Sequence, residues 1–235
     1  MRVVGALGRA DAVLVSGGNT LFAIDRWTRC GLAPALREAM ERGAVLCGGS
    51  AGAICWFDAG HSDSMDPDSY ADAMLGGAGM SSATYEHGPG DKKWDYVRCP
   101  CLGFLPGLVC PHHDRTQSNG LLRAEDFDAM LRRHPGERGV CIDHFAALCI
   151  DGPAYSVLSL PGKEGTFLPG STKPDFSGAG APAMWIKTVQ GDDIVCEPVP
   201  PQGTLVDILK PATHVVEDPR IPAARQENPS DRDRP

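Results

Sequence analysis

The sequence predicts an α/β protein whose mostly parallel sheet is covered by helices on both faces. Short apolar runs, typical of buried parallel strands, alternate with segments in which apolar residues recur at helical spacing. Glycine-rich or polar residues follow several of these runs, as they do at the carboxyl ends of strands in open α/β sheets. The predicted strands cover residues 12–15, 44–47, 107–110, 139–142 and 146–150.

The helices are predicted from apolar spacing and from stop signals. One begins near Thr20, and a second covers residues 32–42 and is ended by Gly43. A third covers residues 119–133. The stretch 58–93 is rich in Gly, Ser, Asp and Met, which predicts a long loop with at most one short helix.

The chain is expected to divide into three regions. Residues 1–155 are predicted to form a catalytic α/β domain. Residues 156–216 are predicted to form a loop-rich C-terminal extension, in which residues 190–193 join the two strands of a β-hairpin. Residues 217–235 are charged and proline-rich, which predicts a disordered tail.

Composition excludes several classes of function. The net charge is −8, and phosphate binding needs clustered cations, so we expect no binding to nucleic acids or anionic membranes. No apolar run is long enough for a transmembrane helix, and the N-terminus lacks the apolar core of a signal peptide. The nine cysteines are an odd number and lie partly in apolar runs, which argues against a disulfide framework. We therefore expect a cytoplasmic protein.

Residues 48–52, Gly-Gly-Ser-Ala-Gly, fit the G-x-S-x-G nucleophile elbow, with a predicted strand before them and a helix start near Ala53. The turn is sharp, so it needs small neighbours and holds its serine in a strained conformation. Ser50 is the candidate nucleophile, and the backbone N–H of Ala51 is a candidate oxyanion donor. A plain tight turn would have the same composition, so the interpretation depends on the flanking strand and helix.

A second glycine-rich turn, Ser-Gly-Gly-Asn-Thr at 16–20, follows the first predicted strand. The N–H groups of Gly17 and Gly18 could complete an oxyanion hole beside Ser50, or could cradle a phosphate. The turn lacks both the G-x-G-x-x-G pattern and the lysine of a phosphate-binding loop. Asn19 is also suited to cap the following helix, a role compatible with either alternative.

A serine nucleophile needs a base, and the base needs an orienting acid. His112 and His113 follow the strand at 107–110, and because adjacent side chains diverge, at most one of them is expected to serve. Asp143 follows the strand at 139–142 and is the candidate acid, unless it merely ends the strand or caps a helix.

These motifs together resemble the aspartyl dipeptidase (peptidase E) and cyanophycinase family of serine peptidases. The resemblance extends from about residue 10 to residue 152. It depends on Val-Ser-Gly-Gly-Asn-Thr at 15–20, Gly-Ser-Ala-Gly-Ala at 49–53, Pro-His at 111–112 and Gly-Val-Cys-Ile-Asp at 139–143. It implies a class I glutamine amidotransferase-like, or flavodoxin-like, fold. The implied activity is hydrolysis of small peptides with an N-terminal aspartate, or cyanophycinase-like exopeptidase activity, without a cofactor.

The resemblance also implies roles for the catalytic residues. Ser50 would be the nucleophile and His112, which follows Pro111, the general base. The third member in the family is usually a glutamate. Here the only carboxylate in that stretch is Asp143, with His144 beside it.

Three further residues are implied to lie near the substrate. Asp63 is close to the position of a family aspartate implicated in activity, and we expect it in the substrate pocket or in a supporting role. Family enzymes bind the substrate's aspartate through a cation, for which Arg115 and Arg123 are the candidates. Either arginine could instead be a solvated surface residue.

The chain departs from the family pattern at its N-terminus. Family members carry additional strand–helix units before the Gly-Gly-Asn loop, whereas this chain starts almost at that loop. We therefore expect an N-terminally shortened fold, through truncation or a misplaced gene start, or else a partner that completes the sheet, such as a second copy in a homodimer. Missing neighbours would expose an apolar strand edge.

Two other classes of function remain open. A catalytically degenerate homologue could act as a binding module. A zinc-binding protein is suggested by a short stretch with five potential ligands, although its spacing does not match paired C-x-x-C motifs, and we expect no metal. The five residues are Cys99, Cys101, Cys110, His112 and His113.

Overall fold

A computed structural model describes residues 2–66, 94–116, 119–160, 166–167, 174–175 and 183–222. The first half of the chain contains α1 (Arg2–Leu7), β1 (Ala12–Val15), α2 (Thr20–Arg29), α3 (Leu32–Glu41), β2 (Val45–Gly48), α4 (Ala51–Ile54), β3 (Phe57–Ser62), β4 (Val97–Pro100) and β5 (Leu105–Pro111). The second half contains α5 (Arg123–Arg133), β6 (Gly139–Ile142), β7 (Ala146–Asp151), β8 (Ala154–Ser159), β9 (Thr166–Phe167), β10 (Pro174–Asp175), β11 (Met184–Gln190), β12 (Asp193–Pro198), β13 (Gln202–Thr204) and α6 (Leu205–Ile208).

The main sheet has six strands in the order β12-β11-β6-β5-β3-β4. Its centre is parallel, because β5 pairs in parallel with both β3 and β6. Both edges are antiparallel, with β4 on β3 and the β11–β12 hairpin on β6. The predicted α/β class is confirmed, with the parallel pairings concentrated in the middle of a mixed sheet. The carboxyl ends of β3, β5 and β6 therefore lie side by side.

Strands β1 and β2 form a separate two-stranded parallel sheet. Its inner face packs against the main core through Val13, Val15 and Leu46. Its outer face is open, with Leu14 77% and Val45 63% exposed. Parallel sheets are usually covered on both faces, so this open apolar face is unusual.

The short helix α4 connects β2 to the main sheet. Ile54 is buried and packs on β3 so closely that a Cβ built on Gly60 would lie 2.3 Å from Ile54 Cγ2. Only a glycine at position 60 permits this approach. The contact fixes the residues before α4 relative to the end of β3.

Several local predictions are confirmed. Asn19 caps α2, since its side-chain oxygen accepts the N–H of Phe22 at 3.0 Å. Helix α3 ends before Gly43, which has a φ of 101°. The hairpin at 190–193 also forms, and Gly191 turns it with a φ of 64°.

The prediction of a loop from residue 58 onward is wrong for the first five residues, which belong to β3. The pattern of β3 misled the prediction because the strand contains Asp58, Gly60 and His61 rather than an apolar run, yet most of it is buried. Residues 67–93 lie outside the described part of the chain. Strands β4 and β8 were also not predicted, and α5 begins at Arg123, four residues later than expected.

The region after residue 155 contributes directly to the main sheet, because β11 pairs with β6 from Met184↔Ile142 to Lys187↔Gly139. Trp185 of β11 is fully buried in the same cluster as Phe127 and Leu131 of α5. Of the predicted tail, residues 223–235 lie outside the described chain. Among the residues described, no helix is both long and apolar enough to cross a membrane.

Candidate active site

Ser50 lies in the sharp turn between β2 and α4, with φ 54° and ψ −121°. This backbone conformation is costly for a residue with a Cβ, and such strain is typical of functional sites. Small neighbours make the turn possible. A Cβ built on Gly48 would lie 2.1 Å from the Gly52 carbonyl oxygen. The turn therefore has the geometry of a nucleophile elbow, with a half-exposed serine hydroxyl at its tip.

Strain of this kind occurs at few positions of the described chain. Among the residues that the structure describes, three non-glycine residues have a positive φ: Ser50 (54°), His112 (52°) and Phe145 (60°). Each follows a strand of a parallel pairing. Such positions persist only where the surrounding structure over-determines them, and two of the three, His112 and Phe145, both contact His144.

The glycine-rich turn after β1 lies against the elbow. A Cβ built on Gly17 would stand 3.4 Å from Ser50 Cβ and 3.8 Å from its Oγ. Gly18 has a φ of 146°. The turn borders a cavity of about 220 Å³ that is also lined by Ala51. The N–H groups of this turn and of Ala51 are the donors available beside the serine hydroxyl.

The same turn is tied to the carboxyl end of β3. Asn19 Nδ2 donates to the Ser64 carbonyl oxygen at 3.1 Å, and the Leu21 N–H donates to Ser64 Oγ at 3.0 Å. Asp63 immediately precedes Ser64. These bonds bring the loop that carries Asp63 to the turn that contacts Ser50, although β1 and β3 belong to different sheets.

Asp63 and Arg123 lie close enough to influence each other. Burial raises the pKa of the Asp63 carboxyl, and the Arg123 charge opposes that shift. Arg123 itself is only 1% exposed. Its Nε donates to His61 Nδ1 at 3.2 Å, its Nη2 donates to the His61 carbonyl oxygen, and its guanidinium lies 4.7 Å from the centre of the Tyr96 ring. Arg123 is thus a buried cation held by His61 of β3 and by Tyr96, which precedes β4.

His61 is the centre of a buried polar network that the sequence did not reveal. Because His61 Nδ1 accepts from Arg123, its proton is on Nε2, which donates to Asp126 Oδ1 at 3.0 Å. Asn119 Nδ2 donates to the other Asp126 oxygen at 3.0 Å. The only sequence signal would have been a histidine within a buried strand, which requires a partner.

Cys110 resembles a second candidate nucleophile, since its Sγ lies 3.8 Å from His61 Nδ1. Two observations exclude that role. The thiol is fully buried, and burial raises the pKa of Cys110 to about 12. In addition, the nitrogen of His61 that would take its proton already accepts a hydrogen bond from Arg123. The arrangement is structural.

His112 follows β5, at the sheet rim beside the end of β3. Its Nδ1 lies 2.7 Å from Nδ1 of His144, with the two ring centres 4.9 Å apart. Burial, followed by the Arg123 charge, His144 and the Arg115 charge, lowers the pKa of His112 to about 4. The imidazole is therefore neutral near pH 7, which is the state required of a general base.

The structure pairs Asp143 with His113 and not with His112. Asp143 Oδ1 lies 3.3 Å from His113 Nδ1, and both side chains are buried. The expected contact between Asp143 and His112 is not formed, because the adjacent side chains at each strand end diverge. The buried partners are residues 113 and 143, and the half-buried partners are residues 112 and 144. His144 was noted only as the neighbour of Asp143.

Arg115 and Arg123 differ in how their side chains are engaged. Arg115 is half-buried on the loop after His112, whose carbonyl oxygen accepts the Arg115 backbone N–H at 3.0 Å. Its guanidinium lies 5.9 Å from the Phe145 ring. Arg115 Nε is buried and has no hydrogen-bond partner among the described residues. Arg115 therefore retains more capacity to bind a ligand than Arg123 does.

Several of the predicted site residues are linked through neighbouring contacts. Ser50 contacts the turn at Gly17, and that turn is bonded to the loop of Asp63. The Arg123 charge acts on both Asp63 and His112. The contacts join the β1–β2 sheet to the carboxyl end of β3, and the charge of Arg123 also reaches His112 after β5.

The zinc alternative finds no support in the grouping of side chains. Within the described ranges, no three His, Cys, Asp or Glu side chains lie together as metal ligands. All nine cysteines are free thiols, and two of those in the suggested stretch have their sulfur against backbone carbonyl oxygens: Cys99 against Pro100 and Cys101 against Cys99.

Similar proteins were found by sequence and by structure. The chain is 36% identical over 186 residues to a Trypanosoma brucei brucei protein named G2/mitotic-specific cyclin-1, which covers 77% of this chain and 52% of that protein. It is also 36% identical over 104 residues to uncharacterized peptidase YgaJ of Bacillus subtilis (strain 168), which covers 44% of this chain and 33% of that protein. The chain thus spans about half, or less, of the length of these curated relatives.

A solved structure of a candidate peptidase E protein from Listeria monocytogenes EGD-e is similar with a TM-score of 0.44 and 17% identity, over 68% of this chain and 64% of that one. The family model of peptidase family S51 matches residues 1–158, which include the elbow, the glycine-rich turn and both pairs of residues at the ends of β5 and β6. The chain therefore belongs to peptidase family S51.

Proposed function

We propose that the protein is a serine peptidase that hydrolyses dipeptides or short peptides with an N-terminal aspartate. Ser50 is the nucleophile and His112 is the general base. The observation that carries this proposal is the strained conformation of Ser50, with φ 54°, against the glycine-rich turn at Gly17. A structural serine would not require such a conformation.

The mechanism follows the general scheme of serine hydrolases. His112 takes the hydroxyl proton as Ser50 Oγ forms a bond to the carbonyl carbon of the N-terminal residue. N–H groups of Ala51 and of Gly17 or Gly18 stabilise the oxyanion. The C–N bond then breaks as His112 returns the proton to the leaving amine. Water, deprotonated by His112, then attacks the acyl carbon. The bond between that carbon and Ser50 Oγ breaks, the acid is released, and His112 returns the proton to Ser50 Oγ. No step requires a cofactor.

Selection of aspartate requires a cation, and we assign this role to Arg115. Its guanidinium is half-buried beside His112, and its Nε has no partner in the described chain. An arginine can bind a carboxylate through two parallel hydrogen bonds. Arg123 contributes a buried positive charge, but its guanidinium is already engaged with His61 and Tyr96.

The two carboxylates have supporting roles in this proposal. Asp63 lies in the substrate pocket, where its carboxylate could receive the free α-ammonium group of the substrate. Asp143 anchors the loop that follows β6, because its side chain pairs with His113 and its backbone N–H donates to the Ala183 carbonyl oxygen at 3.0 Å. The free thiols fit a reducing compartment, and we expect the cytoplasm.

The test is hydrolysis of Asp-X, Glu-X and Ala-X dipeptides and of β-aspartyl-arginine by the wild type and by Ser50→Ala, with Ser159→Ala, an exposed serine of β8, as the matched control. We expect Asp-X to be the best substrate, Ser50→Ala to lose activity by on the order of 10⁴-fold or more, and Ser159→Ala to be unchanged. Equal rates for Ser50→Ala and the wild type would refute the proposal. Preference for β-aspartyl-arginine would indicate a cyanophycinase-like exopeptidase.

A binding module is the second candidate, favoured by the histidine that lies where the general base would meet a carboxylate. It predicts that Asp-X peptides bind to the wild type and to Ser50→Ala alike but are cleaved by neither. Calorimetric titration combined with product analysis distinguishes the two functions. The name cyclin belongs to one relative and is not carried over to this chain. The residues proposed for catalysis and substrate binding all lie within residues 1–158, which match the family model of peptidase family S51.

A further inference from the structure

We propose that His144 orients the general base His112, at the position where a serine hydrolase ordinarily has a carboxylate. The site would then contain a serine and two histidines. This inference rests on the proposed function, because it assigns a positioning residue to the same reaction. His144 does not touch the substrate in this arrangement and acts only through His112.

The distance between the two rings limits where their protons can lie. The two Nδ1 atoms are 2.7 Å apart, a hydrogen-bond distance that requires one proton between them. If His112 Nδ1 is the donor, its Nε2 has a free lone pair and can accept the proton of Ser50. His144 then accepts at Nδ1 and has its own proton on Nε2. This is the tautomer of His112 that a general base needs.

The position of His144 is held from several sides. Its backbone N–H donates to Asp114 Oδ1 at 2.7 Å, which ties the loop after β6 to the loop after β5. Its ring lies edge-on to Phe145, with centres 4.0 Å apart. Phe145, which follows His144 in the chain, and His112, the partner ring, are both in strained backbone conformations. Such strain persists only where surrounding contacts impose it.

Asp143 is not available for this role. Its carboxylate lies with His113 in the buried interior, whereas His112 and His144 are half-buried at the rim. An imidazole Nδ1 forms one hydrogen bond, and that of His112 is directed at His144. The general base therefore faces an imidazole where other serine hydrolases have a carboxylate.

The presence of a histidine in place of a carboxylate affects the basicity of His112. The groups that act on it are Arg123 from α5, Arg115 from its own loop and His144 from the loop after β6, none of which is an anion. A carboxylate at residue 144 would favour protonated His112 and raise its pKa, whereas His144 lowers the pKa of His112. The pH profile of the enzyme should therefore change in a defined direction when the acceptor at residue 144 is changed.

The experiment compares three variants of the full chain. His144→Leu removes the acceptor, His144→Asn keeps a neutral acceptor near the Nδ1 position, and His144→Asp supplies a carboxylate there. We expect kcat/KM to fall by on the order of 10²- to 10⁴-fold in His144→Leu and to recover in part in His144→Asn. In His144→Asp, the acid limb of kcat/KM should move to higher pH by roughly one to three units. His214→Ala, an exposed histidine elsewhere, is the control and should match the wild type.

A second readout does not depend on activity. Nitrogen-15 NMR of the histidine rings reports which nitrogen of His112 carries the proton. We expect the Nδ1–H form in the wild type and in His144→Asn, and a mixture of forms in His144→Leu. An unchanged tautomer and an unchanged pH profile in His144→Leu would overturn the proposal, as would stoichiometric zinc that is lost with His144. Failure of the proposed function would appear separately, as equal activity in Ser50→Ala and the wild type.

Discussion

Gly52 approaches Val15 so closely that a Cβ built on Gly52 would lie 2.0 Å from the Val15 carbonyl oxygen. This contact joins the end of β1 to the helix that follows Ser50. A second close contact, between Gly48 and the Gly52 carbonyl oxygen, supports the same turn. The elbow therefore packs directly against the carboxyl end of β1.

The first prediction concerns the contact between Gly52 and the Val15 carbonyl oxygen. Gly52→Ala should destabilise the protein by about 1–3 kcal/mol or more, because a backbone carbonyl oxygen cannot yield to the new methyl group. In an open helix the same change would stabilise by up to about 1 kcal/mol, so the sign is informative. Gly49→Ala is the control, since its Cβ would meet nothing within 4 Å. Urea unfolding measures both variants, and equal stabilities would contradict the structure.

The second prediction separates the two arginines. Arg115→Gln should raise KM for Asp-X peptides by roughly 10- to 100-fold, the cost of losing a charge-assisted hydrogen bond, and should affect Ala-X much less. Arg115→Lys should recover only part of the loss, because lysine cannot form the paired bonds. Arg123→Lys should instead lower the midpoint of unfolding, since Arg123 is held in the interior by His61. Steady-state kinetics with Asp-X and Ala-X test the Arg115 variants, and thermal unfolding tests Arg123→Lys.

The third prediction concerns stability and pH. The pKa of His112 is about 4 in the folded protein and about 6.5 in an unfolded chain. Between these values the unfolded state binds the proton and the folded state does not, so stability falls as the pH falls through this window. Above about pH 6.5 His112 is neutral in both states, and its full contribution to the free energy of unfolding is present.

The matched variant is His112→Asn, which cannot titrate. It should lose less stability than the wild type between about pH 7 and about pH 5, while His113 and His134, whose pKa values are also lowered by burial, contribute equally to both proteins. Urea unfolding at several pH values provides the comparison. If stability fell equally with pH in the two proteins, the prediction would be wrong, because His112 would then bind its proton as readily in the folded state as in the unfolded state.

The fourth prediction tests how the region after residue 155 is held. Lys187 of β11 donates to Asp128 Oδ1 at 2.6 Å and to the Ala124 carbonyl oxygen at 3.2 Å, both on α5. Lys187→Met should cost about 1–3 kcal/mol, because the half-exposed Asp128 can be rehydrated. Asp128→Leu should cost more, since it leaves the buried ammonium group with one partner. The double variant should cost less than the sum of the two, as double-mutant analysis of unfolding will show.

Local structure was predictable where neighbouring residues alone decide it. The elbow at Ser50 needs small residues on both sides and a strand before it, and all of these are visible in the sequence. The cap at Asn19 and the hairpin turn at Gly191 also depend on residues within a few positions of each other. The strand containing His61 was not predictable, because its buried histidine is satisfied by Asp126, 65 positions away.

The sequence by itself determined that a strained serine follows a strand, that a histidine follows another strand of the same rim, and that the chain alternates strands and helices. Only the tertiary structure decided which partner each histidine takes and which arginine, among the described residues, keeps a buried nitrogen without a hydrogen-bond partner. Pairing of this kind depends on the direction in which adjacent side chains leave two neighbouring strand ends. Residues 143 and 144 are consecutive in the chain, yet one faces the buried interior and the other faces the rim.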